Sequence, residues 1–425
     1  MPFPTHESMA ADQLAQLRRL LAALLPGNAF YRKKLAGLDP AIASLEDFSA
    51  RFPFTTKQEL AEDQRESPPF GTNLTFPIAR YTRFHQTSGT ASAPLRWVDT
   101  PESWNGMVES WKDIFRAAGV GAADRVYFAF SFGPFIGFWL AFDAAQQLGC
   151  LCLPGGGLSS AGRLQGILDN RATVVCCTPS YAAHLAETAA RKRIDLKSGA
   201  VHALIVAGEP GGSIPATRRR LRELWPGARI FDHHGMTETG PVSHECPQEP
   251  GTLHVLERAY LAEVVDARGQ PARAGEAGEL VLTTLGRTGS PVLRYRTGDV
   301  ARAKARGEAC ACGRHDLALA GGILGRTDEM LIVRGVNIYP TAVEEVLRGF
   351  PELAEYRVDV DGSRSLVELR LCVEPRADCA EPAALAARVQ EALHGVFNLR
   401  MPVTLAPAGS LPRFEMKAKR WQFAP

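Results

Sequence analysis

The sequence predicts a two-part α/β protein: a large N-terminal domain with mostly parallel βαβ sheets, then a small α+β C-terminal domain. Two observations predict it. Short apolar runs at 126–130, 150–154, 172–177 and 202–207 alternate with helix-length segments. Strands separated by about ten to fifteen helical residues imply parallel crossovers. Further on, the glycine-rich, charged stretch 321–329 separates this region from a short strand–helix module. Closely spaced glycines let a backbone bend sharply, so this stretch reads as a joint. A chain of 425 residues is long enough for such a division. The expected boundaries are 1–325, a hinge at 326–329, and 330–425.

Composition narrows the function classes. The chain is 45% hydrophobic and 22% charged, with a net charge of +2. It therefore has ample core and no strong field for nucleic acid or an anionic membrane. No apolar run reaches membrane-spanning length, and the N-terminus lacks the basic and apolar regions of a signal peptide. Nine cysteines is an odd number in a chain that does not need disulfides. A reduced, cytoplasmic protein is expected, its cysteines core residues or metal ligands.

In chain order, Leu14, Leu17, Leu20, Leu21, Leu24 and Leu25 follow a helical period, which Pro26-Gly27-Asn28 should stop. Residues 83–94 form a polar loop containing Thr87, Ser88, Gly89 and Thr90, able to offer N–H groups and hydroxyls to a phosphate. Phe132, Phe135 and Phe138 lie in a glycine-interrupted aromatic run, which can line an apolar slot or fill a core. Gly208-Glu209-Pro210 and His234-Gly235-Met236-Thr237-Glu238 each follow an apolar run, at the strand ends where α/β sheets bind ligands. Thr237-Glu238 alone would also suit a helix start. Cys246, His254, Cys310 and Cys312 are soft ligands suited to Zn²⁺, with His244 a rival for His254 and buried free thiols the alternative. Beyond the joint, Leu331-Ile332-Val333 reads as a strand that Gly335 interrupts. Thr341 and Glu344 have capping-box spacing before a helix with Val343, Val346, Leu347 and Phe350 on one face. Near the end, Lys417, Lys419 and Arg420 form a basic stretch.

These stretches together resemble the phenylacetate–CoA ligase family of the adenylate-forming acyl- and aryl-CoA synthetase superfamily. The residues 30–35 (FYRKKL), 53–57 (PFTTK), 295–299 (YRTGD) and 325–340 carry much of the likeness, which spans nearly the whole chain. The resemblance implies ATP, Mg²⁺ and coenzyme A as reactants and cofactor, and an aromatic carboxylic acid as substrate. Thr87, Ser88, Gly89 and Thr90 would cradle phosphates, and the backbone of Gly208, Glu209 and Pro210 would contact adenine. His234, in a position usually aromatic, would stack on adenine beside Gly235 and Met236. Thr237 would bind the α-phosphate, Glu238 would hold Mg²⁺, and Asp299 the ribose hydroxyls. Arg314 and Arg326 are nucleotide-side candidates, and Phe132, Phe135 and Phe138 part of the acid pocket. Asp328 would be the pivot on which the mobile small domain withdraws Lys417 and presents Gly335 to coenzyme A. Lys419 and Arg420 read as a solvated tail. The resemblance also favours a structural zinc on Cys246, His254, Cys310 and Cys312.

Three positions depart from the family pattern. Ala93 stands where relatives usually carry Lys, His234 replaces an aromatic ring, and Met416 replaces Gly. The first should weaken ATP binding or slow adenylation. Transfer to a carrier protein or amine, or nucleotide binding with weak catalysis, remain alternative readings. A homodimer is the working expectation for assembly.

Overall fold

The structure is a computed structural model that describes residues 3–87, 94–333, 336–361, 368–414 and 418–423. It divides into two units: Met1–Gly156 with Phe231–Ile323, and Gly157–Ile230 with Leu324–Pro425. The segment expected as one block, 1–325, is thus shared between both units. Its stretch 157–230 packs with the C-terminal part, where helix Pro215–Leu224 lies against helix Pro340–Arg348.

In the first unit, helix His6–Gly27 starts at Thr5, whose side chain accepts the Ser8 N–H at 3.3 Å. It buries Leu17, Leu20, Leu21 and Leu24, one face at helical spacing. Asn28 then caps the next helix, Ala29–Lys34, by accepting the Tyr31 N–H. Helix Lys57–Glu66 opens on a capping box between Thr56 and Glu59. These helices and helix Leu45–Arg51 bury Leu20, Tyr31, Phe48 and Leu60 in one cluster with Trp97, Leu293 and Tyr295.

The strands of this unit form a mixed sheet. Tyr260–Val265, Ala277–Thr284, Tyr295–Ala303, Ala318–Arg326, Thr252–Val255, Gly240–Glu245 and Arg229–Met236 are successive neighbours. The pairings of Ala277–Thr284 with both its neighbours, and of Gly240–Glu245 with both of its own, are antiparallel. The parallel pairing expected from strand–helix alternation occurs at Arg125–Phe128 with Leu151–Pro154. Helices Pro101–Ala117 and Ile136–Gln147 pack on one another, the second also on that strand pair.

The second unit repeats the parallel pattern at Val174–Cys177 with Ala203–Val206, both strands wholly buried. Such continuous apolar runs are what a sheet covered on both faces needs. Leu353–Asp361 and Glu368–Pro375 pair antiparallel, flanked in parallel by Trp421–Phe423 and Val403–Leu405. Helix Pro382–Phe397 covers this sheet through Leu385, Val389 and Leu393.

Two sequence expectations are corrected here. Thr341 and Glu344 form no capping box: Pro340 opens the helix after Tyr339, and Thr341 donates its hydroxyl to the Leu324 carbonyl. Proline needs no N–H partner at a helix start, so the boundary falls there. Arg420 is not solvated either. It is largely buried between Glu355, 2.7 Å away, and Glu344 at 3.6 Å.

Candidate active site

The centre of the site is an antiparallel hairpin, Arg229–Met236 with Gly240–Glu245. Thr237 and Glu238 therefore lie in a β-turn, not at a helix start. A register shift between His234 and Gly235 bends the strand just before it. Gly235 cannot be replaced cheaply: a Cβ there would lie 2.7 Å from the Gly240 carbonyl oxygen. The close approach of the two strands thus needs a glycine in this motif.

The turn is held from behind. Arg287 donates to the Thr237 carbonyl at 2.7 Å and pairs with Asp99 through two bonds of 2.7 and 2.6 Å. Both partners are almost wholly buried, so this ion pair fixes the turn where water cannot compete. Tyr260 adds a 2.8 Å bond to the Thr239 carbonyl. Glu238, only 4% exposed, accepts the Tyr295 hydroxyl at 3.3 Å. The Lys57 ammonium stands 3.8 Å from the same carboxylate oxygen.

Lys57 and Arg287, which contact Glu238 and Thr237, are residues that the sequence reasoning did not single out. The signal for Lys57 was present in the 53–57 stretch. Thr55 bridges to Tyr295, with its N–H on the Arg294 carbonyl at 3.0 Å and its carbonyl receiving the Arg296 N–H at 2.9 Å. This pins the start of the Lys57 helix to the strand that carries Asp299. Arg287 gave no local pattern, since its partners Asp99 and Thr237 are remote in sequence.

On that strand, Asp299 receives the His234 Nε2–H at 2.9 Å. Among the described residues, His234 Nδ1 is buried without a hydrogen-bond partner. The structure therefore brings together two residues expected to serve adenine and ribose. Met236 packs against the N-terminal core cluster.

The polar loop hangs on a two-stranded hairpin, Arg83–Gln86 with Arg96–Asp99. Its base is closed by Thr87, whose N–H bonds to the Leu95 carbonyl and whose hydroxyl accepts the Leu95 N–H, both at 2.9 Å. Ser88, Gly89, Thr90 and Ala93 lie outside the described residues, as do Gly335, Met416 and Lys417. Phe132 sits in an aromatic cluster with Phe128, Phe130, Trp139 and Phe142, its ring 4.9 Å from Trp139. Phe135 is half-buried beside Gly133, and the Phe138 side chain is outside the described set.

In the second unit, Gly208 has φ +91°, a conformation that favours glycine. Glu209 accepts the Ser180 N–H at 2.7 Å and the Ala418 N–H at 2.8 Å. Arg326 forms two bonds, of 2.8 and 3.1 Å, to Asp328.

The other end of the central hairpin leads to a different arrangement in the first unit. The ligand atoms of Cys246, His254, Cys310 and Cys312 all lie within 4.8 Å of one another. Cys246 Sγ is 3.5 Å from Cys310 Sγ, and Cys312 Sγ is 3.4 Å from His254 Nε2. His254 Nδ1 faces the Asp316 carbonyl at 3.4 Å, leaving Nε2 toward the sulfurs. His244, the rival ligand, donates to the Glu245 carbonyl instead and is not part of the set. A tetrahedron with bonds of about 2.0–2.3 Å sets its ligand atoms about 3.3–3.8 Å apart, so the 3.4 and 3.5 Å pairs fit that spacing and the wider pairs, within 4.8 Å, would draw in on a bound ion. Burial pushes the Cys246 thiol up, so a metal binding here would displace protons. Arg314 is tied into this region by Asp316 at 3.2 Å and lies over the Phe3 ring.

Comparison with known proteins is consistent along the chain. The family described as AMP-binding enzyme matches residues 87–286, and the AMP-binding enzyme C-terminal domain matches 335–422. The phenylacetate-coenzyme A ligase of Thermus thermophilus is 35% identical, over 96% of this chain and 95% of its own. That of Pseudomonas putida is 30% identical, over 97% and 93% respectively. Among solved structures, 2-hydroxyisobutyryl-CoA ligase in the postadenylation state with 2-HIB-AMP superposes with a TM-score of 0.94. It is 28% identical, over 100% of this chain and 91% of that one.

Proposed function

This chain belongs to the phenylacetate–CoA ligase family of AMP-binding enzymes, and we propose from that premise that it joins an aryl carboxylate to coenzyme A using ATP. The observation that carries the reading is the buried Glu238 carboxylate on a braced turn in the same unit as the Asp299–His234 pair. Two acidic groups of different roles, one for metal and one for sugar hydroxyls, suit a nucleoside triphosphate.

The reaction runs in two steps. A carboxylate oxygen of the acid attacks the α-phosphorus, the bond to the β-phosphate oxygen breaks, and pyrophosphate leaves. The thiol sulfur of coenzyme A then attacks the acyl carbon, its proton is released, and AMP departs. Asp299 holds the ribose hydroxyls, and the Thr237 hydroxyl meets the α-phosphate. Glu238 is a hard oxygen donor of the kind Mg²⁺ prefers, and that ion would neutralise charge building on the phosphates. Lys417 offsets the same charge in the first step and withdraws for the second, with Asp328 as pivot. Thr87 to Thr90 and the 208–210 backbone hold phosphates and adenine, with Arg326 on the nucleotide side, whereas Arg314, expected there too, stands beside the Cys246 cluster instead. Gly335 lines the later thiol approach. Phe132, Phe135 and Phe138 border the acid.

Cys246, His254, Cys310 and Cys312 would hold a structural Zn²⁺, since four protein ligands leave no position for substrate. Among the described residues, no helix is long and apolar enough to cross a membrane. We place the protein in the cytoplasm as a homodimer, which light scattering of the purified protein tests.

The test of function is Lys417→Ala. Acid-dependent pyrophosphate release should fall by about a hundred- to a thousandfold, while a supplied acyl-adenylate is still converted to thioester. Unchanged adenylation would refute the reading of the tail. Product analysis with and without coenzyme A separates thioester formation from transfer to another acceptor.

A further inference from the structure

We propose that His234 is a positioning residue for ribose recognition: its Nε2–H sets the direction of the Asp299 carboxylate. This inference rests on the role given above to Asp299, and it adds to His234 a task beyond stacking on adenine.

The backbone on each side is fixed before the two side chains meet. The Asp299 N–H donates to the Thr297 hydroxyl at 3.0 Å, and that hydroxyl donates to the Leu280 carbonyl at 2.7 Å. Gly298 between them has φ +77°, and its N–H bonds to the Glu279 carboxylate at 3.0 Å. What stays soft is the rotation of the Asp299 carboxylate itself, a broad torsion in aspartate. On strand Arg229–Met236, His233 packs on Trp111 with ring centroids 4.4 Å apart, and its Nδ1–H donates to the Ser243 carbonyl. Successive side chains of a strand point to opposite faces, so anchoring His233 on the core turns His234 the other way.

The bond between His234 and Asp299 joins strands that three others separate in the sheet order. It runs 2.9 Å between two largely buried side chains, where little water competes for it. A carboxylate accepts, so Nε2 carries the proton and Nδ1 is left as an acceptor. Among the described residues Nδ1 has no partner, so the hydrogen bond that orients this ring is the one to Asp299. A carboxylate offers about four acceptor positions, and one bond turns it without using it up. Stacking engages the face of the ring, and this bond its edge. A phenylalanine would keep the first and lose the second.

The test compares kcat/KM for ATP with that for 2′,3′-dideoxy-ATP, which lacks both ribose hydroxyls, in acid-dependent pyrophosphate release by the full-length protein. His234→Phe should lower the ratio of the two about tenfold, the scale of one bond to a charged acceptor. The loss should fall on ATP, with the dideoxy value staying within about twofold. His234→Leu, which deletes ring and donor alike, should give the same lowered ratio with both values reduced. His234→Gln, whose side-chain N–H can still reach the carboxylate, should keep the ratio within about twofold of the native one. Equal loss for both nucleotides in His234→Phe would overturn the proposal in favour of stacking or folding. An unchanged ratio, or a Gln variant no better than Phe, would overturn it as well. Asp299→Ala is run alongside: if it leaves the ratio intact, the ribose assignment fails and the proposal with it. Loss of discrimination in Asp299→Ala, with His234→Phe and His234→Leu unchanged, refutes the present inference alone. In the Asp299→Ala background His234→Phe should lower the ratio no further. An additional fall would place the ring on the sugar directly, against a role through Asp299.

Discussion

The hairpin Arg229–Met236 with Gly240–Glu245 carries two polar constellations, one at each end, and they are built on opposite principles. At the turn, which Arg287 and Asp99 hold from behind, Glu238 accepts one hydrogen bond from Tyr295 and faces Lys57, whose side chain is 48% exposed. At the other end, Cys246 meets His254, Cys310 and Cys312, four ligand atoms turned on one another. Over about six strand residues the two lie roughly 20 Å apart. The difference lies in the partners: the turn end keeps an exposed cation beside its carboxylate, whereas the cluster end turns its four side chains on one another. His233 and His234 make the same point within one strand. Burial pushes His233 down to about 3, and its Nδ1–H donates to the Ser243 carbonyl at 2.7 Å, whereas His234 meets the carboxylate of Asp299.

The sharpest way to break the contrast is Glu238→Gln. It keeps the shape and the Tyr295 hydrogen bond but removes the charge that would hold Mg²⁺. Adenylation should fall by about a hundred- to a thousandfold, with the melting temperature nearly unchanged. A large drop in melting temperature would mean that the turn is structural and that the two ends do not differ in kind.

The cluster end should respond the opposite way. Elemental analysis should find one zinc per chain, and chelation or Cys310→Ser should lower Tm by roughly 5–10 °C through loss of metal-linked folding energy. The adenylation rate of the protein that remains folded should change little. Protein free of zinc whose stability ignores chelators would leave the four side chains as an ordinary buried group of thiols and imidazole.

How legible these two ends were differs as well. Gly235, Thr237 and Glu238 formed a local motif, and the glycine proves to be required by the close approach of Gly240 across this hairpin. The cluster was legible from residue chemistry, but the choice of His254 over His244 needed the direction of each ring. Arg287 and Asp99 were not legible, because a buried ion pair between residues 188 positions apart leaves no spacing signal. The Thr341 capping box failed for a local reason: Pro340 settled the helix start first. The placing of 157–230 with the C-terminal part follows from helix packing across the chain, which periodicity cannot encode.

The smallest expected effect concerns the phosphate side of the turn. Ala93 lies in the polar loop where relatives usually carry a lysine, so Ala93→Lys should lower KM for ATP. The gain should be only severalfold, on the order of the 1 kcal/mol that a solvent-accessible charge contact brings. Lys57 gives the reason: its ammonium already stands 3.8 Å from Glu238, on a helix pinned through Thr55 to Tyr295. If Lys57 supplies the cation that the loop lacks, Lys57→Ala should raise KM for ATP, and Ala93→Lys should recover more affinity in that background than in the native chain. Such coupling is what two charges serving one phosphate must show, since contacts that share a partner are not additive. Additive effects would mean that Lys57 serves Glu238 alone, and that the exposed charge at this end of the hairpin braces the turn without meeting the nucleotide.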